Sequence, residues 1–151
     1  MRLEPRYHPA ATNPPDHVWV FDVDGTLIGS IRSDRLRPGV TELVRLLDAG
    51  GASMVAWSAG GADYAGRMLA RFDIAERFCA CYEKGARGAD GRYLVDHMDE
   101  RHRPGTLVDD YPEDVPQMGR VIPVRQFLGG NPNDDGLAAA LEIARSLCAA
   151  R

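Results

Sequence analysis

Residues His17–Leu27 read HVWVFDVDGTL, and the fold turns on how this stretch is interpreted. Val18, Trp19, Val20 and Phe21 form a short unbroken apolar run, the pattern of a strand covered on both faces in a parallel sheet. The run stops at Asp22, and a Gly-Thr turn follows at once. The same switch recurs along the chain. Ser53–Trp57, Phe78–Tyr82, Thr106–Val108 and Val121–Val124 read as four further strands, the last broken by Pro123 and so nearer an edge. Between them lie helical patterns. Val40, Leu43, Val44 and Leu47 follow Pro38 and stop at Gly50 and Gly51; Asp63–Phe72 carries Met68, Leu69 and Phe72 on one face; Tyr93–Arg101 reads as a short helix after the glycine-rich turn Gly85–Gly91; Leu137, Leu141, Ala144 and Cys148 define a closing helix. Strands alternating with helices require right-handed crossovers. The expected fold is therefore α/β: a three-layer sandwich around a Rossmann-like, mainly parallel five-stranded sheet.

Working outward, 151 residues suit one domain and are too few for two with respectable cores. Met1–Asp16 is polar, holds Pro5, Pro9, Pro14 and Pro15, and reads as an N-terminal tail ahead of a domain from His17 to Arg151. Hydrophobic residues at 44% and charged residues at 26% exclude a disordered, collagenous or coiled-coil chain. A net charge of -4 advertises no cationic surface, so stable nucleic-acid binding is not expected. No apolar run approaches the roughly 20 residues that cross a bilayer. Three cysteines, Cys79, Cys81 and Cys148, without a CxxC pair suggest reduced thiols, and a cytoplasmic location is expected.

In a parallel sheet, ligands bind beyond the carboxyl ends of the strands. There the sequence places Asp22 and Asp24 after the first strand, Ser58 after the second, Lys84 after the third, and Asp109 and Asp110 after the fourth. Four carboxylates meeting around a phosphate repel one another unless a cation separates them. An oxygen-only donor set favours magnesium over zinc.

The motif FDVDGTL, with Asp22 and Asp24 flanking one residue after a buried strand, resembles the first signature of the haloacid dehalogenase (HAD) superfamily of phosphohydrolases. The resemblance spans about Val18 to Leu147. It implies that Asp22 is a nucleophile forming an aspartyl-phosphate, that Asp24 is the general acid and base, and that the main-chain carbonyl of Asp24 joins Asp22, Asp109 and Asp110 around Mg2+. Ser58, in VAWSAGG, would bind a phosphoryl oxygen, and Asp114 could contribute from its loop. The lysine that neutralises the phosphate would be Lys84, the only lysine in the chain, with Arg103 as the alternative. The ending VIPVRQFLGGNPNDDGLAAAL, with Tyr64 and Ala65, is similar to small phosphoprotein phosphatases acting on the C-terminal repeats of RNA polymerase. In that branch the lysine lies nearer Tyr93–Asp96, where this sequence has none. Only 13 residues separate Asp24 from Pro38, and only one helix and one strand lie between Ser58 and Lys84, so neither usual insertion point holds a cap domain. The expectation is a capless, magnesium-dependent phosphomonoester hydrolase open to bulky substrates, a phosphoprotein or a polynucleotide end. The rival is a catalytically silent or phosphoacceptor module on the same fold.

Simpler explanations cover other patterns. Asn131, Asn133, Asp135, Gly136 and Glu142 imitate a calcium loop, but Asn replaces its first Asp and Pro132 stiffens it, so Asp134 or Asp135 reads as an N-cap of the last helix. His97 and His102, five apart, read as solvated side chains. Cys79 and Cys81 share one face of a strand and read as small core residues.

Overall fold

The computed structural model describes residues 3–9 and 13–150. Met1, Arg2 and 10–12 of the expected tail, and Arg151, lie outside the described residues. In chain order the elements are strand β1 (Arg6–His8), β2 (Val18–Asp22), helix α1 (Val40–Ala49), β3 (Ser53–Ser58), α2 (Ala62–Arg71), β4 (Phe78–Glu83), β5 (Thr106–Asp109), β6 (Gly119–Pro123) and α3 (Ala138–Ala149). Single turns of 3-10 helix lie at Ala75–Arg77, Glu100–His102 and Pro112–Asp114. No described helix is long and apolar enough to cross a membrane.

The fold is α/β, with a mostly parallel mixed sheet of six strands in the order β1-β6-β5-β2-β3-β4. Five of these match the strands expected from sequence. The sixth, β1, runs antiparallel to β6 and corrects the five-strand expectation: Arg6 pairs with Val121 and His8 with Gly119. Backbone bonds along an edge ask little of the side chains, so Arg-Tyr-His carries no apolar alternation to betray it. Residues 13–16 of the expected tail dock too. Asn13 donates to the carbonyls of Glu100 and Arg103, Thr106 Oγ1 donates to the Pro15 carbonyl, and buried Arg120 binds Asp16 at 2.8 Å.

Both faces of the sheet are buried, by different means. Trp19, Phe21, Met54, Ala56, Val108 and Ile122 point toward α1, α2 and α3, all three of which join this one core. On α1, Val40, Leu43, Val44 and Leu47 form the inner stripe; α3 buries Ala139, Ala140 and Ala144, small side chains that bring its backbone close. Val20, Val55, Trp57, Leu107 and Val121 face the other way, where Val95, Met98 and Val115 from the connections around β5 cover them. The helix expected over Tyr93–Arg101 is absent. Its residues run as irregular chain held by long-range contacts, such as Tyr93 N to the Asp114 carbonyl at 2.8 Å, and only Glu100–His102 makes a helical turn.

Two smaller expectations also change, and a third is met only in part. Cys79 is exposed because β4 is an outer strand, and Cys81 is only partly covered. His97 is exposed, as expected, and His102 is half-buried; both flank the Tyr82 ring, His97 bonding the Glu83 carbonyl and His102 Nδ1 meeting the Tyr82 hydroxyl at 2.6 Å. Helix α3 is capped by Leu137 with no side-chain bond; Asp134 and Asp135 serve as ion-pair partners of Arg37 and Arg125 instead.

Candidate functional site

Strand β2 is followed by β3 on one side and flanked by β5 on the other, so the chain reverses its direction of travel across the sheet at β2. Ligands of open α/β sheets collect beyond the carboxyl end of such a strand. Register does the gathering. Asp22 stands opposite Trp57, Phe21 opposite Val108, and Ser58 opposite Glu83. Asp22, Asp109, Ser58 and Lys84 therefore reach the same edge within a residue or two of one another.

Lys84 Nζ donates to Asp22 Oδ1 at 2.8 Å and to Asp109 Oδ2 at 2.9 Å, with all three side chains at most 9% exposed. It also lies 5.2 Å from the Trp57 ring centroid and 5.5 Å from that of Tyr93. Burial alone would lower the Lys84 pKa; Asp22 and Asp109 outweigh it and raise the pKa. Thr26 Oγ1 donates to Asp22 Oδ2 at 2.9 Å, and Asp109 Oδ1 accepts from the Tyr111 amide at 2.8 Å. Asp24 accepts from the Tyr64 hydroxyl at 2.6 Å. Burial, then the charge of Asp22, raises the Asp24 pKa against that hydrogen bond. The Tyr64 hydroxyl is itself pushed up to about 12, by burial first and its bond to Asp24 second.

Asp22, Asp109 and Asp110 offer oxygens that all lie within 4.8 Å of one another. Burial raises the pKa of Asp109 and of Asp110, and the neighbouring Asp22 carboxylate adds to both. Asp110 Oδ2 is shut off from solvent and has no hydrogen-bond partner. An orphaned carboxylate oxygen beside two more carboxylates, with one lysine to balance them, suits a hard divalent cation. Gly25 belongs to the same arrangement: its φ of +82° is left-handed, and a Cβ there would collide with the Asp110 carboxylate.

A cavity of about 280 Å³ opens above these groups, and Asp22, Asp24, Ser58, Lys84, Asp110 and Asp114 are among its lining residues. Five of the six residues singled out from sequence thus share one cavity; the sixth, Asp109, lies buried beneath it against Lys84. Ser58 Oγ accepts from the Gly60 amide at 3.0 Å and does not cap α2, whose N-cap is Gly61. Asp114 pairs with Arg87 at 3.5 Å and stands outside the three-carboxylate group. Arg103 is turned elsewhere, donating to the carbonyls of Met98 and Asp96, which leaves Lys84 as the cation of this cleft.

The sequence pattern missed several participants. Ser30 Oγ is a second shielded polar atom without a partner, and its residue also lines the cavity. Thr26 sits in the quoted motif without revealing that its hydroxyl holds Asp22. Arg37, 1% exposed, donates Nη1 to the Gly25 carbonyl at 3.1 Å, Nη2 to the Arg125 carbonyl at 2.7 Å and Nε to Asp134 at 2.6 Å. Its guanidinium lies 5.5 Å from the Phe127 ring centroid. One planar fork thus ties the turn after β2 to the segment leading into α3. Composition alone could not single out Arg37 among the other arginines.

Residues 8–103 match a family model described as a protein of unknown function, DUF705. No curated protein matches the chain.

Proposed function

The chain belongs to the DUF705 family, whose description assigns no activity, and we propose from its own cleft that it is a magnesium-dependent phosphomonoester hydrolase working through Asp22. The observation that carries this reading is the grouping of Asp22, Asp109 and Lys84 under a cavity into which Asp24 also opens. Two shielded polar atoms along that cavity, Asp110 Oδ2 and Ser30 Oγ, have no hydrogen-bond partner among the described residues. On this reading the fold is HAD-like, with the helices, the sheet and the covering connections as three layers.

Asp22, Asp109 and Asp110, with the Asp24 carbonyl, would hold Mg2+, which when bound supplies charge to neutralise the phosphoryl oxygens. The chain's own residues do the rest. Lys84 and Thr26 each hold one oxygen of Asp22, so its carboxylate cannot rotate and meets phosphorus along a set direction. Asp22 oxygen bonds to phosphorus as the ester P–O bond breaks, and Asp24 gives its proton to the departing oxygen. A raised pKa suits Asp24 to carry that proton. Water then attacks the aspartyl-phosphate, returning a proton to Asp24 and releasing phosphate from Asp22. Ser58 and Ser30 face the cavity as donors to phosphoryl oxygens, and Lys84 balances charge from below.

Hydrolysis of p-nitrophenyl phosphate tests the reading. Wild type should turn over only with Mg2+ present, and Asp22→Asn should lose activity by at least about 10³-fold, since removing a covalent nucleophile leaves only binding and electrostatic contributions. Equal rates for the two proteins eliminate Asp22 as nucleophile. No turnover by wild type, but phosphate-analogue binding, favours the silent or phosphoacceptor module.

A further inference from the structure

Beside the catalytic cavity lies a second, of about 460 Å³, that the reaction above does not use. Its lining includes Arg32, Arg35, Leu36, Pro38, Phe127 and Pro132. Arg35 is exposed and its side chain has no hydrogen-bond or ion-pair partner among the described residues; Arg32 reaches only the exposed Asp34, at 3.4 Å. These two cations stand on a rigid platform. The Ile31 and Arg32 amides both bond the Leu128 carbonyl, Gly29 N bonds the Arg35 carbonyl, and a Cβ on Gly129, whose φ is +111°, would collide with Arg32. Exposed Ile31 and Leu128 border the same loops.

The two cavities are joined through shared backbone. Ser30 and Gln126 line the first, and Arg32 and Phe127 line the second, with the Ser30 amide bonded to the Phe127 carbonyl at 2.9 Å. From Ser30 to Arg32 is two residues along a bend, which holds their Cα atoms no more than about 7 Å apart. We infer that this pocket is a substrate subsite that takes an acidic side chain, a carboxylate or a second phosphate, two residues from the phosphorylated residue of a peptide substrate. Two guanidiniums over an apolar floor of Leu36, Pro38 and Phe127 match a carboxylate or phosphate on a short hydrocarbon stem.

Charge and shape favour a peptide over a polynucleotide. A nucleic-acid strand needs a continuous basic track and open aromatic faces for stacking. Here the only aromatic ring in the pocket, Phe127, is buried and lies against Arg37, and Asp24 and Asp114 interrupt the cations at the catalytic mouth.

The inference rests on the hydrolase reading, and the test separates the two. Phosphoserine peptides carrying Glu, Ala or Lys two residues to either side are compared by kcat/KM, with p-nitrophenyl phosphate as a substrate that reaches only the catalytic cavity. Wild type should prefer the Glu peptide over the Ala peptide about tenfold. Within Arg32→Ala/Arg35→Ala that ratio should fall to about one, and within Arg32→Glu/Arg35→Glu the Lys peptide should be preferred. Equal kcat/KM for all three peptides with wild type, or a ratio untouched by the arginine substitutions, overturns the subsite while leaving aryl phosphate hydrolysis in place. Faster release of phosphate from a 5′-phosphorylated oligonucleotide than from the Glu peptide overturns it in favour of a polynucleotide end. If aryl phosphate is not hydrolysed, the hydrolase reading fails, and anisotropy of the labelled Glu and Ala peptides still decides the subsite: equal binding overturns it.

Discussion

Tyr64 Oη and Asp24 make a pair whose effect on pH dependence has a definite sign. The Asp24 pKa is raised by burial and by Asp22, and the Tyr64 hydrogen bond works against that rise. Tyr64→Phe removes the opposing contribution, so Asp24 keeps its proton to higher pH. The basic limb of kcat/KM for p-nitrophenyl phosphate, which the proposed mechanism assigns to loss of the Asp24 proton, should therefore move upward in Tyr64→Phe. A limb that stays put or moves down would show that Asp24 is not the group titrating. Lys84→Met tests the charge below it. Removing one partner of a buried ion pair leaves uncompensated carboxylates, and urea unfolding should show a loss of about 3 kcal/mol together with loss of turnover. Lys84→Arg should not rescue turnover, because a planar fork cannot replace an ammonium that serves two carboxylates from one point.

Between elements, the Arg37–Asp134 pair is the fastening most open to experiment. Arg37 holds the turn carrying Asp24–Thr26, and Asp134 precedes α3, so the pair links the turn after β2 to the last helix. Either Arg37→Met or Asp134→Asn should cost about 3 kcal/mol of stability, and the double variant should cost far less than the sum, because each single change strands the other's charge. Additive losses would mean that the two side chains act independently. Gly136 admits this arrangement: a Cβ there would run into the Arg37 guanidinium. Gly136→Ala should accordingly destabilise the chain although it leaves both charges present.

For the molecule as a whole, the acidic group couples stability to pH and, on the proposed reading, to Mg2+. Asp109 and Asp110 have raised pKa values in the folded chain, so folding takes up protons wherever the pH exceeds the ordinary value of 3.8 but not the raised ones. Stability attributable to these groups therefore falls as pH climbs through that window toward neutrality. A divalent cation takes the place of the protons and binds better as they leave. The rise in Tm on adding Mg2+ should be larger at pH 8 than at pH 5, and chelation should reverse it. A Tm indifferent to Mg2+ at both pH values would count against the cation site.

Much of this architecture is written in short stretches of chain. Apolar runs that end at polar residues, helical spacing that ends at Gly50 or before Asp73, and the placement of Asp22, Ser58, Lys84 and Asp109 at strand ends all follow from periodicity and turn chemistry, which neighbours in sequence encode. Other features depend on contacts across the fold. Lys84 meets Asp22 across 62 positions and Arg37 meets Asp134 across 97, distances bridged by strand register and loop path and not by any local pattern. The same holds for β1, whose edge pairing is carried by backbone alone, and for the outer face of the sheet, where Val95, Met98 and Val115 replace the expected helix because burying three apolar side chains there is enough to hold irregular chain in place.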